Sequence, residues 1–383
     1  MRKISELDGV RGIAILLVLL FHAAPQDLVS NLHLPEPVAG AASLLLYPVA
    51  TLGWAGVDLF FVLSGFLITT ILLQAKAGPR YFRNFYARRF LRIFPIYYAS
   101  LFMLTIVVPL LKPSAHAIAP HDRVLFLFYL QNWLETFQTY TGFRSGFLAH
   151  FWSLAVEEQF YLVWPLAVYL LTPRQLMRLC AGLIAASLLV RIAVNVLVPN
   201  PWVDFNLVHF NTIARFDTLA MGALIACATM HYEAALAQVW SKRRATVVLV
   251  ALGLALLGIL LLSPSLPHVT NAAFRTVGYS VLAAGWAVFL LRALRAPPEA
   301  FTRRALRIRA LTYTGAISYG LYVFHYPVFG AVAALMRRPG FQGHPLVVSL
   351  ATPVLALSLT FAAASLSFRF FESPILSLKR RFV

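Results

Sequence analysis

Ten long apolar runs constrain what this chain can fold into more than any other feature of its sequence. A membrane-spanning helix needs about 20 consecutive, mostly apolar residues, and these runs are long enough. Of the 383 residues, 60% are hydrophobic and only 12% are charged, whereas about a quarter of a soluble domain is charged. We therefore predict an all-α, polytopic membrane helical bundle of about ten transmembrane helices, forming one domain over residues 1–383. The expected spans lie near 10–27, 49–74, 93–111, 147–171, 178–198, 209–231, 245–263, 272–291, 310–335 and 346–371.

The 32 lysines and arginines are unevenly distributed between the loops of this topology. With ten spans, both termini lie on one side of the membrane. The loops of that side carry 22 of the basic residues, and the opposite loops carry five. An excess of Lys and Arg marks cytoplasmic loops, so we expect both termini in the cytoplasm. The net charge of +18 is thus explained by topology, and nucleic acid is not an expected partner.

A short apolar stretch at residues 122–137 could be read as an eleventh crossing. A crossing there would invert every later loop and remove the charge bias. We interpret the stretch as an interfacial or re-entrant helix on the outer side of the membrane.

The first span carries two costly polar residues, Arg11 and His22. An ionisable side chain at the centre of a span costs roughly 2.5–3.5 kcal/mol on insertion scales, so each one suggests a function. Eleven residues at about 100° each bring the two side chains to the same face, about 16 Å apart along the helix. That arrangement suits a long ligand held by its phosphates at the cytoplasmic mouth. Alternatively, Arg11 only anchors the helix and His22 only bonds a neighbouring helix.

The fourth span combines a polar stripe with two adjacent carboxylates, Glu157 and Glu158. Adjacent carboxylates within a membrane favour one group that exchanges a proton, which points to catalysis. Asp58, in the second span, either orients a histidine or ligand, or makes a packing hydrogen bond. The aromatic and polar residues expected nearer the outer face are candidates for binding an acceptor. They are His150, Trp152 and Ser153 of the fourth span, and Tyr322 and His325 of the ninth.

Three arginines, Arg88, Arg89 and Arg92, stand at the end of the first cytoplasmic loop. Their planar, multi-donor head groups suit a diphosphate, although topology anchoring also accounts for them. For Arg215 and Asp217 in the sixth span we predict a structural ion pair. Ser64 is taken as a structural polar residue. No metal site is expected, because Cys180 and Cys227 lie in separate apolar runs.

Several of these segments together resemble the acyltransferase-3 family, from residue 7 to about residue 374. The resemblance implies transfer of an acyl group, usually acetyl from acetyl-CoA, to a hydroxyl of a sugar or small molecule. Arg11 and His22 match the family's Arg-x10-His, Arg89 and Arg92 its Arg-x-x-Arg, and Glu157 with Glu158 its paired glutamates. The sequence stops nine residues after Pro374, without the SGNH-hydrolase domain that some members carry. The matching strings are LDGVRGIAILLVLLFH (7–22), GVDLFFVLSGFLIT (56–69), RRFLRIFPIYY (88–98), HFWSLAVEEQFYLVWPL (150–166), RFDTLAMG (215–222), ISYGLYVFHYP (317–327) and FFESP (370–374).

These residue types suggest a mechanism in which His22 deprotonates an acceptor hydroxyl, which then attacks the acyl thioester. A carboxylate, from Asp58, Glu157 or Glu158, would orient the imidazole or accept its proton. Arg11 and the arginines of 88–92 would hold the phosphates of cytoplasmic acyl-CoA, which is a substrate and not a bound cofactor. A covalent acyl-enzyme on His22 or Ser64 is an alternative.

The expected partners are acyl-CoA, a glycan or lipid-linked sugar, and the lipids of a bacterial inner membrane. A transporter or flippase of a glycan or lipid intermediate, with a proton relay through the buried glutamates and histidines, is the competing function.

Overall fold

The computed structural model describes residues 4–23, 53–111, 118–143, 146–261, 271–341 and 345–382, and within these ranges the chain is helical, without β-strands. Residues 28–48, which connect the first two predicted spans, lie outside the described residues. The helices of eight or more residues are α1 (Ser5–Ala23), α2 (Ala55–Ala75), α3 (Tyr81–Phe102), α4 (Pro120–Leu127), α5 (Trp152–Leu170), α6 (Pro173–Leu197), α7 (Pro201–His209), α8 (Thr212–His231), α9 (Lys242–Leu261), α10 (Tyr279–Arg295), α11 (Arg309–Ala316), α12 (Ser318–Met336) and α13 (Pro345–Ser367).

Shorter helical segments connect or extend these helices. Three of them are π-helical, at Met103–Val107, Phe274–Gly278 and Phe368–Glu372. The others are Val108–Leu111, Gln131–Thr136, Gln138–Thr141, Gly146–Phe151, Glu233–Val239, Phe301–Leu306, Pro339–Phe341, Ser373–Ser377 and Leu378–Arg381.

Among the described residues, 7 helices are long and apolar enough to cross a membrane, so the polytopic helical bundle is confirmed. They are α2, Tyr81–Leu111, α6, α8, Phe274–Arg295, α12 and Val347–Arg381. Helices α1, α5 and α9 coincide with the three remaining predicted spans. The total of ten spans and the cytoplasmic position of the termini stay predictions.

Two predicted boundaries differ from the observed helices. The third predicted span begins at residue 93, but α3 begins at Tyr81, so the arginines of 88–92 lie on a helix and not in a loop. The charged residues lower the hydropathy of this part of α3. Because hydropathy indicates burial in lipid and not helical structure, the sequence did not predict a helix there. The ninth predicted span, 310–335, is two helices that meet at Ile317.

The stretch at 122–137 does not cross the membrane as one helix. It contains the end of α4 and the separate helix Gln131–Thr136. The eight residues of α4 rise only about 12 Å, compared with about 30 Å of hydrocarbon. Two tyrosines of α3 hold α4 at its C-terminal end, since the hydroxyl of Tyr97 donates to Phe126 O at 2.8 Å and that of Tyr98 to Leu127 O at 2.7 Å.

Helices α2 and α8 pack with their backbones in close contact at two glycines. A Cβ atom added at Gly65 would overlap the carbonyl oxygen of Leu219, and one added at Gly222 would overlap that of Val62. Small residues permit such approach between membrane helices. The contact brings the polar side chains of α2 and α8 within hydrogen-bonding distance, which matters for the site described next.

Candidate active site

An inner cavity of about 820 Å³ opens among α1, α2, α3, α5 and α12. Three arginines line it, namely Arg11, Arg89 and Arg92, together with both Glu157 and Glu158. The sequence predicted these residues as a phosphate-binding group and a carboxylate pair. The structure brings the two groups together around one cavity, on three different helices.

A wider vestibule of about 1190 Å³ shares the three arginines with the inner cavity. Arg11 donates to Asp8 at 2.7 Å on the same helix. Lys379, near the end of the described chain, also lines the vestibule, as does Glu372. Lys379 is one of the 22 basic residues that the predicted topology places on the side of the termini, and nothing in its sequence neighbourhood links it to the arginines. Arg88 is exposed and lines neither the inner cavity nor the vestibule.

The carboxylate pair belongs to a chain of hydrogen bonds within the inner cavity. The hydroxyl of Tyr161 donates to Glu157 Oε2 at 3.0 Å and is itself bonded to the hydroxyl of Ser64. The guanidinium of Arg89 lies 5.5 Å from the centre of the Tyr161 ring. Ser64, predicted as structural, is thus part of the lining of this cavity and a neighbour of the carboxylates. Glu158 Oε1 is buried without a hydrogen-bond partner in the described part of the chain.

An outer cavity of about 800 Å³ contains His22 and His150. The Nδ1 atom of His22 lies 2.9 Å from Val18 O. Because a carbonyl oxygen only accepts, Nδ1 carries the proton and Nε2 of the neutral ring keeps its lone pair. Most of the remaining wall is aromatic, from Phe21, Trp54, Trp152, Phe205, His209, Phe210, Tyr322 and Tyr326, and it is completed by Val18, Val57, Ala149 and Arg215.

The imidazole of His22 is therefore oriented by the backbone of its own helix. Among the described residues, no carboxylate forms a hydrogen bond or ion pair with His22, which contradicts the predicted orienting role of a carboxylate. The alternative, that a carboxylate accepts the proton of His22, stays a prediction. A histidine in a helix can donate to the carbonyl four residues earlier without any tertiary contact. The positions of the carboxylates in the sequence therefore could not predict the orientation of the His22 ring.

Three histidines from separate segments meet beside the outer cavity. The ring centroids of His22 and His325 are 4.8 Å apart, and those of His150 and His325 are 4.9 Å apart. His325 is fully buried and lies behind the other two, so it supports the cavity wall and does not line the cavity. Among the described residues, no group of three potential ligands is arranged to hold a metal ion.

The inner and outer cavities meet at Val57 and Tyr322, which line both. The hydroxyl of Tyr322 donates to the backbone oxygen of His150 at 2.8 Å and is bonded to the hydroxyl of Ser153. Val57 and Tyr322 thus form the boundary between the inner cavity and the outer cavity.

The family described as an acyltransferase domain matches residues 4–368. The chain belongs to this family, acyltransferase-3. It is 29% identical over 393 residues to the peptidoglycan O-acetyltransferase OatA of Listeria monocytogenes, covering 98% of this chain and 56% of that protein. It is 27% identical over 392 residues to the O-acetyltransferase OatA of Staphylococcus aureus, covering 98% of this chain and 57% of that protein. The chain therefore spans a little over half the length of these relatives. No solved structure matches the chain significantly.

In this acyltransferase domain, the predicted pairing of Arg215 with Asp217 is wrong. Arg215 donates to Asp58 Oδ1 at 2.6 Å, and Asp217 accepts from Arg191 at 2.8 Å. Residues two apart on a helix point about 200° apart and do not face each other. Asp58, predicted as a catalytic carboxylate, is engaged in this fully buried pair and lines neither the inner nor the outer cavity. A third buried pair joins Arg275 to Asp204 at 2.6 Å.

Proposed function

We propose that this chain is a membrane O-acyltransferase of the bacterial inner membrane. It moves an acyl group, acetyl in the simplest case, from cytoplasmic acyl-CoA to a hydroxyl of a glycan on the other side. The observation that carries the proposal is the meeting of two different cavities at Tyr322 and Val57. One is lined by arginines and carboxylates, and the other by a histidine with a free lone pair among aromatic rings.

The donor fits the vestibule and the inner cavity. Arg11, Arg89, Arg92 and Lys379 supply cationic donors for the phosphates of acyl-CoA, and charge-assisted hydrogen bonds to phosphate are strong and oriented. The rise of α1 between Arg11 and His22 is about 16 Å. A flexible arm of that length carries the thioester from the vestibule to the boundary between the two cavities.

The acceptor fits the outer cavity. Ligand sites combine apolar and aromatic walls with a few polar groups that fix orientation, and Trp54, Trp152 and Phe210 provide such walls here. The relative from Listeria monocytogenes is named for O-acetylation of peptidoglycan. That name supports a glycan acceptor for this chain.

His22 acts as the general base in this proposal. Its Nε2 atom takes the proton of the acceptor hydroxyl, and the resulting oxygen nucleophile attacks the acyl carbon. The bond from the acyl carbon to sulfur then breaks, and the coenzyme A thiolate receives the proton from His22. Atoms and charge balance without any further reactant.

The test compares His22→Ala with His121→Ala in membranes supplied with radiolabelled acetyl-CoA. His121 is an exposed control, with 82% of its side chain accessible. We expect His22→Ala to lower transfer to glycan by about 10²–10⁴-fold, as for loss of a general base, with His121→Ala unchanged. Normal transfer by His22→Ala at equal protein levels would exclude the proposed base.

A further inference from the structure

Arg215 is a fully buried arginine with unused hydrogen-bond donors. Its Nη2 atom donates to Asp58, but Nε and Nη1 have no hydrogen-bond partner within the described residues. The Tyr279 ring lies 4.1 Å from its guanidinium carbon, and this contact stabilises charge without supplying an oxygen lone pair. Buried polar groups in proteins are rarely left unpaired, so such donors call for an explanation.

The neighbouring Arg191 shows how this fold pairs the hydrogen-bond donors of a buried arginine whose role is structural. Its Nε donates to Thr276 O at 2.8 Å, its Nη1 to Ala214 O, and its Nη2 to Asp217 at 2.8 Å. Every nitrogen of the Arg191 guanidinium is used, whereas Arg215, on the neighbouring helix α8, leaves two without a partner within the described residues. The difference is one of position, because Arg215 lines the outer cavity and Arg191 does not.

The charge balance around Arg215 indicates which kind of oxygen its free N–H groups bind. Asp58 lies 2.6 Å from the guanidinium and already neutralises its charge. The guanidinium therefore adds little binding energy for a ligand that is fully charged in the ground state. Donors fixed in a water-poor site act most strongly on an oxygen that becomes negative during a reaction. The carbonyl oxygen of an acyl group under attack is such an oxygen, and His22 lines the same cavity.

We infer that the free N–H groups of Arg215 bind the acyl carbonyl oxygen and stabilise the oxyanion of the tetrahedral intermediate. The inference rests on the proposed function. When His22 takes the proton of the acceptor hydroxyl, that oxygen bonds to the acyl carbon, and the carbonyl electron pair moves onto the oxygen facing Arg215. When the carbonyl re-forms, the bond to sulfur breaks, and the thiolate leaves with the electron pair and is protonated by His22.

The principal test measures kcat and KM of purified Arg215→Lys and Arg215→Met proteins. The substrates are radiolabelled acetyl-CoA and chitotetraose as the acceptor glycan. We expect kcat to fall by about 10²–10³-fold, the usual effect of losing an oxyanion donor, while both KM values stay within about threefold of those of the unaltered protein. Arg275→Met is the matched control, since it breaks another buried Arg–Asp pair whose arginine lines neither the inner cavity, nor the vestibule, nor the outer cavity. Its kcat per folded molecule should be unchanged.

Loss of Arg215 alone leaves Asp58 as an unpaired buried charge, which destabilises a fold. The double variant Asp58→Asn/Arg215→Met removes both charges and is compared with Asp58→Asn, which keeps the donors of Arg215. A kcat lower by about 10²–10³-fold in the double variant than in Asp58→Asn supports the inference even if Arg215→Met does not fold.

Other results would overturn the inference in distinguishable ways. A raised KM for the glycan with unchanged kcat would make Arg215 an acceptor-binding residue. A kcat in Arg215→Met equal to that of Arg275→Met would make it structural. If the unaltered protein forms no acetylated glycan from acetyl-CoA, the proposed function fails and this inference with it. Normal transfer by the unaltered protein and by both Arg215 variants would overturn this inference alone.

Discussion

The hydroxyl of Tyr322 donates a hydrogen bond to the backbone oxygen of His150 at 2.8 Å, across the boundary between the inner and outer cavities. This bond joins α12 to the segment that precedes α5. The side chain of Tyr322 lies between the inner cavity, which the arginines line, and the outer cavity, which His22 lines. Because the two cavities differ so strongly in their lining, the position of this phenol decides where an acyl group and a hydroxyl could meet.

We expect Tyr322→Phe to lower acetyl transfer by about tenfold while the protein stays folded. The substitution keeps the ring but removes the hydroxyl bonded to Ser153 and to His150 O, and one such hydrogen bond contributes about 1 kcal/mol, or several-fold in rate. Transfer rates of purified protein measure the effect. Tyr313→Phe is the control, since it removes an exposed hydroxyl bonded to Ser365. Equal rates in both variants would contradict a role for the Tyr322 hydroxyl.

Lys379→Met should raise the KM for acetyl-CoA about three- to tenfold without changing kcat, and the increase should shrink at high salt. Lys379 shares the vestibule with the arginines, and its attraction to a phosphate is partly screened by ions. Steady-state kinetics at two salt concentrations measure both effects. Arg178→Met, an exposed residue of α6, should leave KM unchanged. A lower kcat at constant KM would argue against phosphate binding by Lys379.

Gly65→Ala and Gly222→Ala should each destabilise the protein by about 1–3 kcal/mol, the usual cost of overpacking. Each added methyl group would overlap a backbone oxygen of the facing helix, α8 or α2. The thermal unfolding midpoint in detergent measures the loss. Gly182→Ala serves as the control and should not be destabilised. Apart from the backbone of its own helix, no atom of the described residues lies within 4 Å of the position that its Cβ would take.

Asp217→Asn should be among the most destabilising single substitutions, at about 3–5 kcal/mol, since it leaves the charge of buried Arg191 without its partner. Both side chains of this pair are fully buried. Glu233→Gln removes a carboxylate from a pair with Arg295 in which Glu233 is 57% exposed, and should cost less than about 1 kcal/mol. The yield of folded protein and its unfolding midpoint compare the two. Similar midpoints would contradict a structural role for the Arg191–Asp217 pair.

The sequence predicted well those features that depend on neighbouring residues. The apolar runs indicated most helices because lipid exposure selects long apolar segments. For the short segment around α4, the charge bias of the later loops predicted no crossing, and the structure divides the segment into two short helices. Where charge and helix coincide, as at the start of α3, hydropathy was a poor guide to the helix boundary.

Sequence patterns did not predict which residues from distant parts of the chain form ion pairs or contacts. Arg215 and Asp217 are near neighbours in the chain, which suggested an ion pair, yet helical geometry turns them apart. Asp58 became the partner of Arg215 because two glycines let α2 and α8 approach closely. The contact of His325 with His22, from opposite ends of the chain, and the position of Lys379 beside the arginines likewise follow from packing.

By itself, the sequence determined that this chain is a helical membrane protein of the acyltransferase-3 family, with Arg11 and His22 on one face of its first helix. The spans and the shared face follow from hydropathy and the helical repeat, which act over a few turns, whereas the family follows from the motifs that the chain shares with it. Only the tertiary structure decided that the inner cavity and the outer cavity meet at Tyr322. It also decided that Arg215 lines the same cavity as His22, with Nε and Nη1 unpaired within the described residues. Both depend on how closely helices distant in sequence pack, and that is set by contacts between side chains and not by the pattern of any one helix.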